Sequence, residues 1–247
     1  MDLYLVAFAA LAFFIAGFVK GIVGMGLPPI SMALLALVMA PAQAAALVLI
    51  PSFVTNIWQM KGSVSLLAVT RRFATLLLGI GLGAWLGAGV LTSFESRLPN
   101  LLLGVALASH ALLLMFAVEF RVKRSSEPFW SPVIGLLSGL VLAATGIMAV
   151  PLIPYLYALE LNRDELLQTL GVTFVVAAVA LALILFDAGL LRITNASGSA
   201  LALIPTALGM YAGRHMLVRI DPKTFRKLFV AGLFALGAFI AIKAALQ

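Results

Sequence analysis

Polar residues punctuate this chain more than they fill it. Nearly continuous apolar runs cover residues 3–23, 30–38, 42–60, 73–91, 98–120, 133–150, 152–161, 166–186, 200–211 and 225–246. Short polar stretches separate most of them: "KGSVS", "SFESRLPN", "RVKRSSEPFW", "ELNRDE", "RITNASGS" and "RHMLVRIDPKTFRK". Crossing a bilayer takes about 20 apolar residues per helix, so the pattern predicts an all-α, polytopic integral membrane protein. One junction lacks a polar loop. The runs on either side of "GMGLPP" are parted by Gly and Pro alone, which predicts a helix interrupted within apolar surroundings.

Sliding the chain by 122 residues reveals a repeat. Gly17 falls on Gly139, Gly24 on Gly146 and Pro29 on Pro151 without a gap. Pro41-Ala42-Gln43 falls on Arg163-Asp164-Glu165, each triplet opening an apolar run. "GAWLG" (83–87) matches "GMYAG" (209–213) after a four-residue shift. The matches fall on residues that shape backbone, so the chain reads as one membrane transport domain of two related halves, 1–124 and 131–247. Each half holds a Gly/Pro-broken segment followed by three transmembrane helices.

Loop charge separates two topologies. Four simple spans per half give parallel halves and no charge bias. If each broken segment enters and leaves on one side, the halves are inverted. Lys61, Arg71, Arg72, Arg121, Lys123, Arg124, Arg163, Arg214, Arg219, Lys223, Arg226 and Lys227 then share a side, against Arg97, Arg192 and Lys243. That asymmetry favours inverted repeats with discontinuous helices, a transporter architecture.

Composition narrows the class further. The 247 residues are 64% hydrophobic and 10% charged, leaving little for a soluble domain. The net charge of +7 resides mainly in short loops, which reflects membrane orientation and not nucleic-acid binding. The absence of cysteine excludes disulfides and thiolate metal sites, and two distant histidines argue against a His-based metal cluster, so no cofactor is expected. Asp2, not a basic residue, precedes the first apolar run, and no small-residue cleavage site ends it. It reads as part of the mature fold and not as a signal peptide.

Lys20 is the sharpest chemical signal, since a lysine at bilayer depth usually faces a cavity, a partner or a ligand. The alternative is a lysine snorkelling to an interface. Gly21, Gly24 and Gly26 permit unusual backbone, while Pro28 and Pro29 suit the first turn of a new helix. That helix start would offer N–H donors to an anion; close packing by small residues is the competing explanation. The second break repeats the pattern with Thr145 and Gly146 but no lysine. Ser52, Thr55, Asn56 and Gln59 share one helical face, as do Glu165, Gln168, Thr169 and Thr173. Such stripes either line a pathway or join helices. His110, beside Ser109, is read either as a core histidine or as a proton relay or ligand. "GIGLGAWLGAG" reads as small-xxx-small packing, not a dinucleotide loop. Tyr4, Trp58 and Trp130 read as interfacial anchors, and Asn195-Ala-Ser197 as a chance glycosylation sequon. No catalytic triad, paired carboxylates or phosphate loop emerges, so an enzyme is not expected.

"AGFVKGIVGMGLPPI" (16–30) and "LIPSFVTNIWQM" (49–60) resemble the TauE/SafE family of sulfite and organosulfur exporters, also called the toluene sulfonate uptake permease family. "GLLSGLVLAATGIMAVPLI" (135–153) resembles its second copy, with Met148 where a glycine is expected. The resemblance implies a multi-pass bacterial inner-membrane transporter for small anions such as sulfite, sulfonates or thiosulfate. The residues independently lead to a secondary anion transporter with Lys20, Gly21, Gly24, Gly26, Ser52, Asn56, Gln59, Thr145, Gly146, Thr169 and Thr173 binding substrate near the midplane. A passive anion channel or a carboxylate transporter is the alternative. Its expected partners are the lipid bilayer, a small anion, and protons or another coupling ion. Proton coupling has little to rest on in the sequence, because Glu165 and Asp187 lie near span ends.

Overall fold

A computed structural model describes residues 3–61, 65–92, 97–116, 121–191, 193–216 and 221–246. In the first half it contains α1 (Leu3–Val23), α2 (Leu27–Leu35), α3 (Pro41–Gln59), α4 (Leu66–Arg72), α5 (Ala74–Leu86) and α6 (Arg97–Phe116). In the second it contains α7 (Glu127–Thr145), α8 (Leu152–Ala158), α9 (Arg163–Asp187), α10 (Ile193–Leu201), α11 (Leu203–Met216) and α12 (Pro222–Leu246). Among the described residues there is no strand. Helices α1, α3, α6, α7, α9 and α12 include segments long and apolar enough to cross a membrane, and α4 with α5 forms a seventh candidate bent by 65°. Large apolar side chains such as Leu78, Trp85, Leu183 and Phe186 are exposed on the outside, as lipid contact requires.

The two breaks share one local design. Gly24 and Gly146 both adopt positive φ, and each donates its N–H to the carbonyl four residues back, Lys20 and Leu142, at 2.8 Å. These are C-terminal caps of a kind glycine makes without steric cost. Gly26 follows at φ 106°, and Pro28 and Pro29 open α2. Met148 replaces this second left-handed glycine, and α8 starts later, at Leu152.

Helix directions follow from which residues meet. Gly17 and Gly21 of α1 lie against the backbones of Thr206 and Met210 of α11, in the same order along both helices. Gly79 and Gly83 of α5 and Gly87, which caps it, meet α7 at Gly135, Leu136 and Ala143 in turn, also in parallel. By contrast, α3 and α9 are antiparallel. Gln59 and Met60, at the end of α3, lie against Gly171, whereas Val48, Leu49 and Ser52, earlier in α3, face the same space as Ala177, Ala178 and Leu181, later in α9. Helices α6 and α12 are antiparallel too, with Gly104 against Ala241 and Ala108 against Gly237.

The same reasoning resolves the path of the first broken segment. Early in α3, Leu47 and Ile50 meet Ser199 of α10; late in α3, Thr55 and Asn56 meet Lys20 beside α11. Helix α3 therefore runs in the same sense as α11 and α1. The 21 residues of α1 span about 31 Å, and α2 with its following turn brings the chain back. The interruption thus comes at the end of a full-length helix, not in its middle.

Pro51 lies inside α3 and cannot donate to the Leu47 carbonyl. Ser199 fills that vacancy, donating to Leu47 O at 2.7 Å while accepting from the Ile50 N–H at 3.1 Å. This pins α3 to α10, a helix formed by a stretch that its polarity marks as loop. Tyr4, Trp58 and Trp130 are exposed. Arg192 and Arg219 lie outside the described residues, as do the side chains of Asn195, Lys223 and Arg226.

Candidate functional site

The two breaks converge on a cavity of about 40 Å³ lined by Gly26, Pro28 and Pro29 from one and Gly146, Met148 and Ala149 from the other. Ser52 of α3 and His110 of α6 supply its polar side chains; Phe174, Ala177, Ala178 and Leu181 of α9 form an apolar wall. Volume of that order holds a few waters. The 122-residue offset superposes Ser52, Thr55, Asn56 and Gln59 on Phe174, Ala177, Ala178 and Leu181. One copy of the repeated wall is therefore polar and the other apolar.

Lys20 stands behind the polar wall. It is 5% exposed, in the last turn of α1. Its Nζ donates to Thr55 Oγ1 at 3.0 Å and to Asn56 Oδ1. Thr55 is oriented for this by donating its own hydroxyl to the Pro51 carbonyl at 2.7 Å. Asn56 in turn donates from Nδ2 to Ser52 Oγ at 3.3 Å, and Ser52 faces the cavity. A relay of neutral hydrogen-bonding groups therefore joins the buried ammonium to the space between the breaks. An ammonium has three donors, and two are engaged here. Among the described residues no carboxylate meets Lys20: the ion pairs are Arg72 with Glu127 and Glu165, and Arg121 with Glu160.

The remaining predicted residues divide clearly. Gly26, Ser52 and Gly146 line the cavity, and Asn56 stands one hydrogen bond behind it. Gly24 caps α1, and Gly21 faces α11, where its missing side chain permits close helix contact. Thr145 braces the second break, donating to Val141 O at 2.6 Å and accepting from the Ile147 N–H at 3.3 Å. Gln59 ties α3 to α9. Thr169 and Thr173 are buried in α9 but do not belong to the cavity wall, and Thr173 donates to the Thr169 carbonyl at 2.9 Å. The second polar stripe thus begins too early in its helix to match the first.

Two further features stand out, the first with no local sequence signal and the second left open between two readings by the sequence. Arg72 grips Glu127 through Nε and Nη2, both at 2.9 Å, and reaches Glu165 through Nη1 at 2.7 Å. This charged clasp joins α4 to the first turns of α7 and α9 and fixes Glu165 at a helix end. The other is His110, 3% exposed, with Nδ1 buried and lacking a hydrogen-bond partner among the described residues. The available signal was the one that identifies Lys20, an ionisable side chain alone in an apolar run.

No curated protein and no solved structure matches the chain significantly. A family model described as "Sulfite exporter TauE/SafE" matches residues 9–240, a span that takes in both breaks, the cavity and the Lys20 relay. The chain therefore belongs to the TauE/SafE sulfite exporter family and is a multi-pass membrane transport protein.

Proposed function

We propose that this protein is a secondary transporter of a small sulfur oxyanion or organosulfonate in a bacterial inner membrane. The observation carrying this reading is Lys20: a buried lysine, unpaired with any described carboxylate and linked through Asn56 and Ser52 to the cavity between the breaks. Substrate would be held by the Lys20–Asn56–Ser52 relay and by the backbone around Gly26 and Gly146, with the two breaks closing over it. Gly24 and Thr145 keep the breaks in shape. The remaining predicted contacts, Gly21, Gln59, Thr169 and Thr173, support helix packing around the site.

In this reading 1–124 and 131–247 are inverted repeats of one domain. Supporting this, the helices equivalent by sequence, α3 with α9 and α6 with α12, run antiparallel. The resulting assignment puts the charged clasp and most loop lysines and arginines at one end, the cytoplasmic one. The cysteine-free chain offers a direct check. Cysteines replacing Lys123 and Arg214, both exposed, are expected to react with an impermeant maleimide from the same side, and one replacing Lys243 from the other. Opposite labelling of the first two overturns the inverted arrangement.

Transport itself is tested in proteoliposomes loaded with unlabelled thiosulfate or methanesulfonate. Accelerated exchange of labelled external anion is expected of a carrier. Net anion leak without accelerated exchange would identify a passive channel, and no movement of either anion would remove the transport assignment for these substrates.

A further inference from the structure

We propose, resting on the anion-transport reading, that His110 is a proton-carrying ligand in the cavity, so that anion binding and proton uptake are linked. The imidazole is buried, lines the same space as Ser52 and the two breaks, and keeps Nδ1 free of any described hydrogen-bond partner. A buried imidazole nitrogen without a partner is costly unless another state of the protein satisfies it. An oxyanion in the cavity is such a partner, accepting a hydrogen bond from the ring.

The charges around His110 make protonation the useful form of that contact. The helices packed against α6 are α2, α3, α7 and α12. Helices α2 and α3 contain no titratable side chain; α7 contributes Glu127 in its first turn, and α12 contributes Lys223, Arg226, Lys227 and Lys243. Of these, the described Glu127, Lys227 and Lys243 do not line the cavity. Lys243 belongs to a separate pocket beside Asn100, and Glu127 is engaged by Arg72. Lys20 reaches the cavity only through its neutral relay. Among the described residues, His110 is therefore the ionisable side chain that lines the cavity. A proton taken up on the ring gives the anion a second positive partner. It is released when the anion leaves, moving anion and proton together.

Thiosulfate and methanesulfonate test this, because neither changes charge between about pH 5.5 and 8, so a pH dependence in that range belongs to the protein. Their binding to the purified full chain is measured by thermal stabilisation, and their uptake in proteoliposomes containing a pH dye. Affinity should rise toward low pH, approaching about tenfold per unit for one linked proton. Uptake should be accompanied by proton entry. His110→Gln keeps a neutral hydrogen-bonding side chain; it should flatten the pH profile and abolish proton movement while retaining weak anion binding. His110→Asn provides the same comparison should the Gln variant fold poorly.

A wild-type profile already flat with pH, or anion uptake without proton movement, overturns the proposal. So does a slope that survives unchanged in His110→Gln or His110→Asn, since that slope would belong to Lys20. If anions bind and move but His110 has no influence, transport stands and proton linkage falls. If neither anion binds or moves at any pH, both fall together.

Discussion

Lys20→Met is expected to weaken anion-dependent stabilisation at least about tenfold while leaving the bundle folded. Methionine occupies a similar volume, and the ammonium it replaces is buried without a described carboxylate. Removing that charge relieves desolvation, whereas Thr55 and Asn56 each lose a donated hydrogen bond. These terms oppose each other, so the melting temperature without ligand should stay near wild type or rise. The anion has no comparable compensation. Because Lys20 acts through the Asn56–Ser52 relay, the loss should lie at the lower end of a charge-assisted hydrogen bond, about 1.5 kcal/mol, or roughly tenfold in affinity. A thiosulfate titration of melting temperature in detergent would measure it, with exchange in proteoliposomes as the functional readout. Lys20→Arg keeps the charge but changes its shape, and should retain partial binding. If Lys20→Met binds and transports at wild-type levels, Lys20 serves the fold alone and the site must be sought elsewhere in the cavity.

The parts legible in sequence were those encoded by backbone chemistry within a few residues. Gly24, Gly26 and Gly146 have the positive φ that their spacing suggested, Pro28 and Pro29 open α2, and α3 and α9 begin at Pro41 and Arg163. The face shared by Ser52, Thr55 and Asn56 also survives, because helical periodicity alone puts them together. Tertiary contacts resisted such reading. Nothing near Arg72 names Glu127 or Glu165 as its partners, since they come from two other helices. The bend at Phe73 carries neither Gly nor Pro, and polarity hides α10 because Ser199 serves a carbonyl freed by Pro51 in another helix. Glycine was the most ambiguous residue. Gly21 and Gly26 lie five positions apart in one motif, yet the first packs a helix and the second shapes the cavity.

That ambiguity leads to the largest expected loss of stability, in Gly139→Leu. Helices α5 and α7 touch backbone to backbone through Gly79, Gly83, Gly135 and Gly139. A Cβ at Gly139 would lie 2.7 Å from the Ala84 amide nitrogen and overlap the Ile80 carbonyl oxygen still more closely. Backbone cannot yield as a flexible side-chain tip can, so the two helices must separate. Overpacking commonly costs about 1–3 kcal/mol where side chains can adjust; here they cannot, and the expected cost exceeds that range. Gly146 lies seven residues further along the same register, so separation would also move the second break away from the cavity. Gly139→Leu should therefore lose its monodisperse peak in size exclusion, or melt far below wild type, and should not exchange anion. Gly81→Leu supplies the control: it introduces the same side chain into α5, where a Cβ meets nothing within 4 Å. Its melting temperature should stay close to wild type, since leucine is also the better helix former. Equal stability of the two variants would mean that α5 and α7 do not make this backbone contact, and the position assigned to the second break would fall with it.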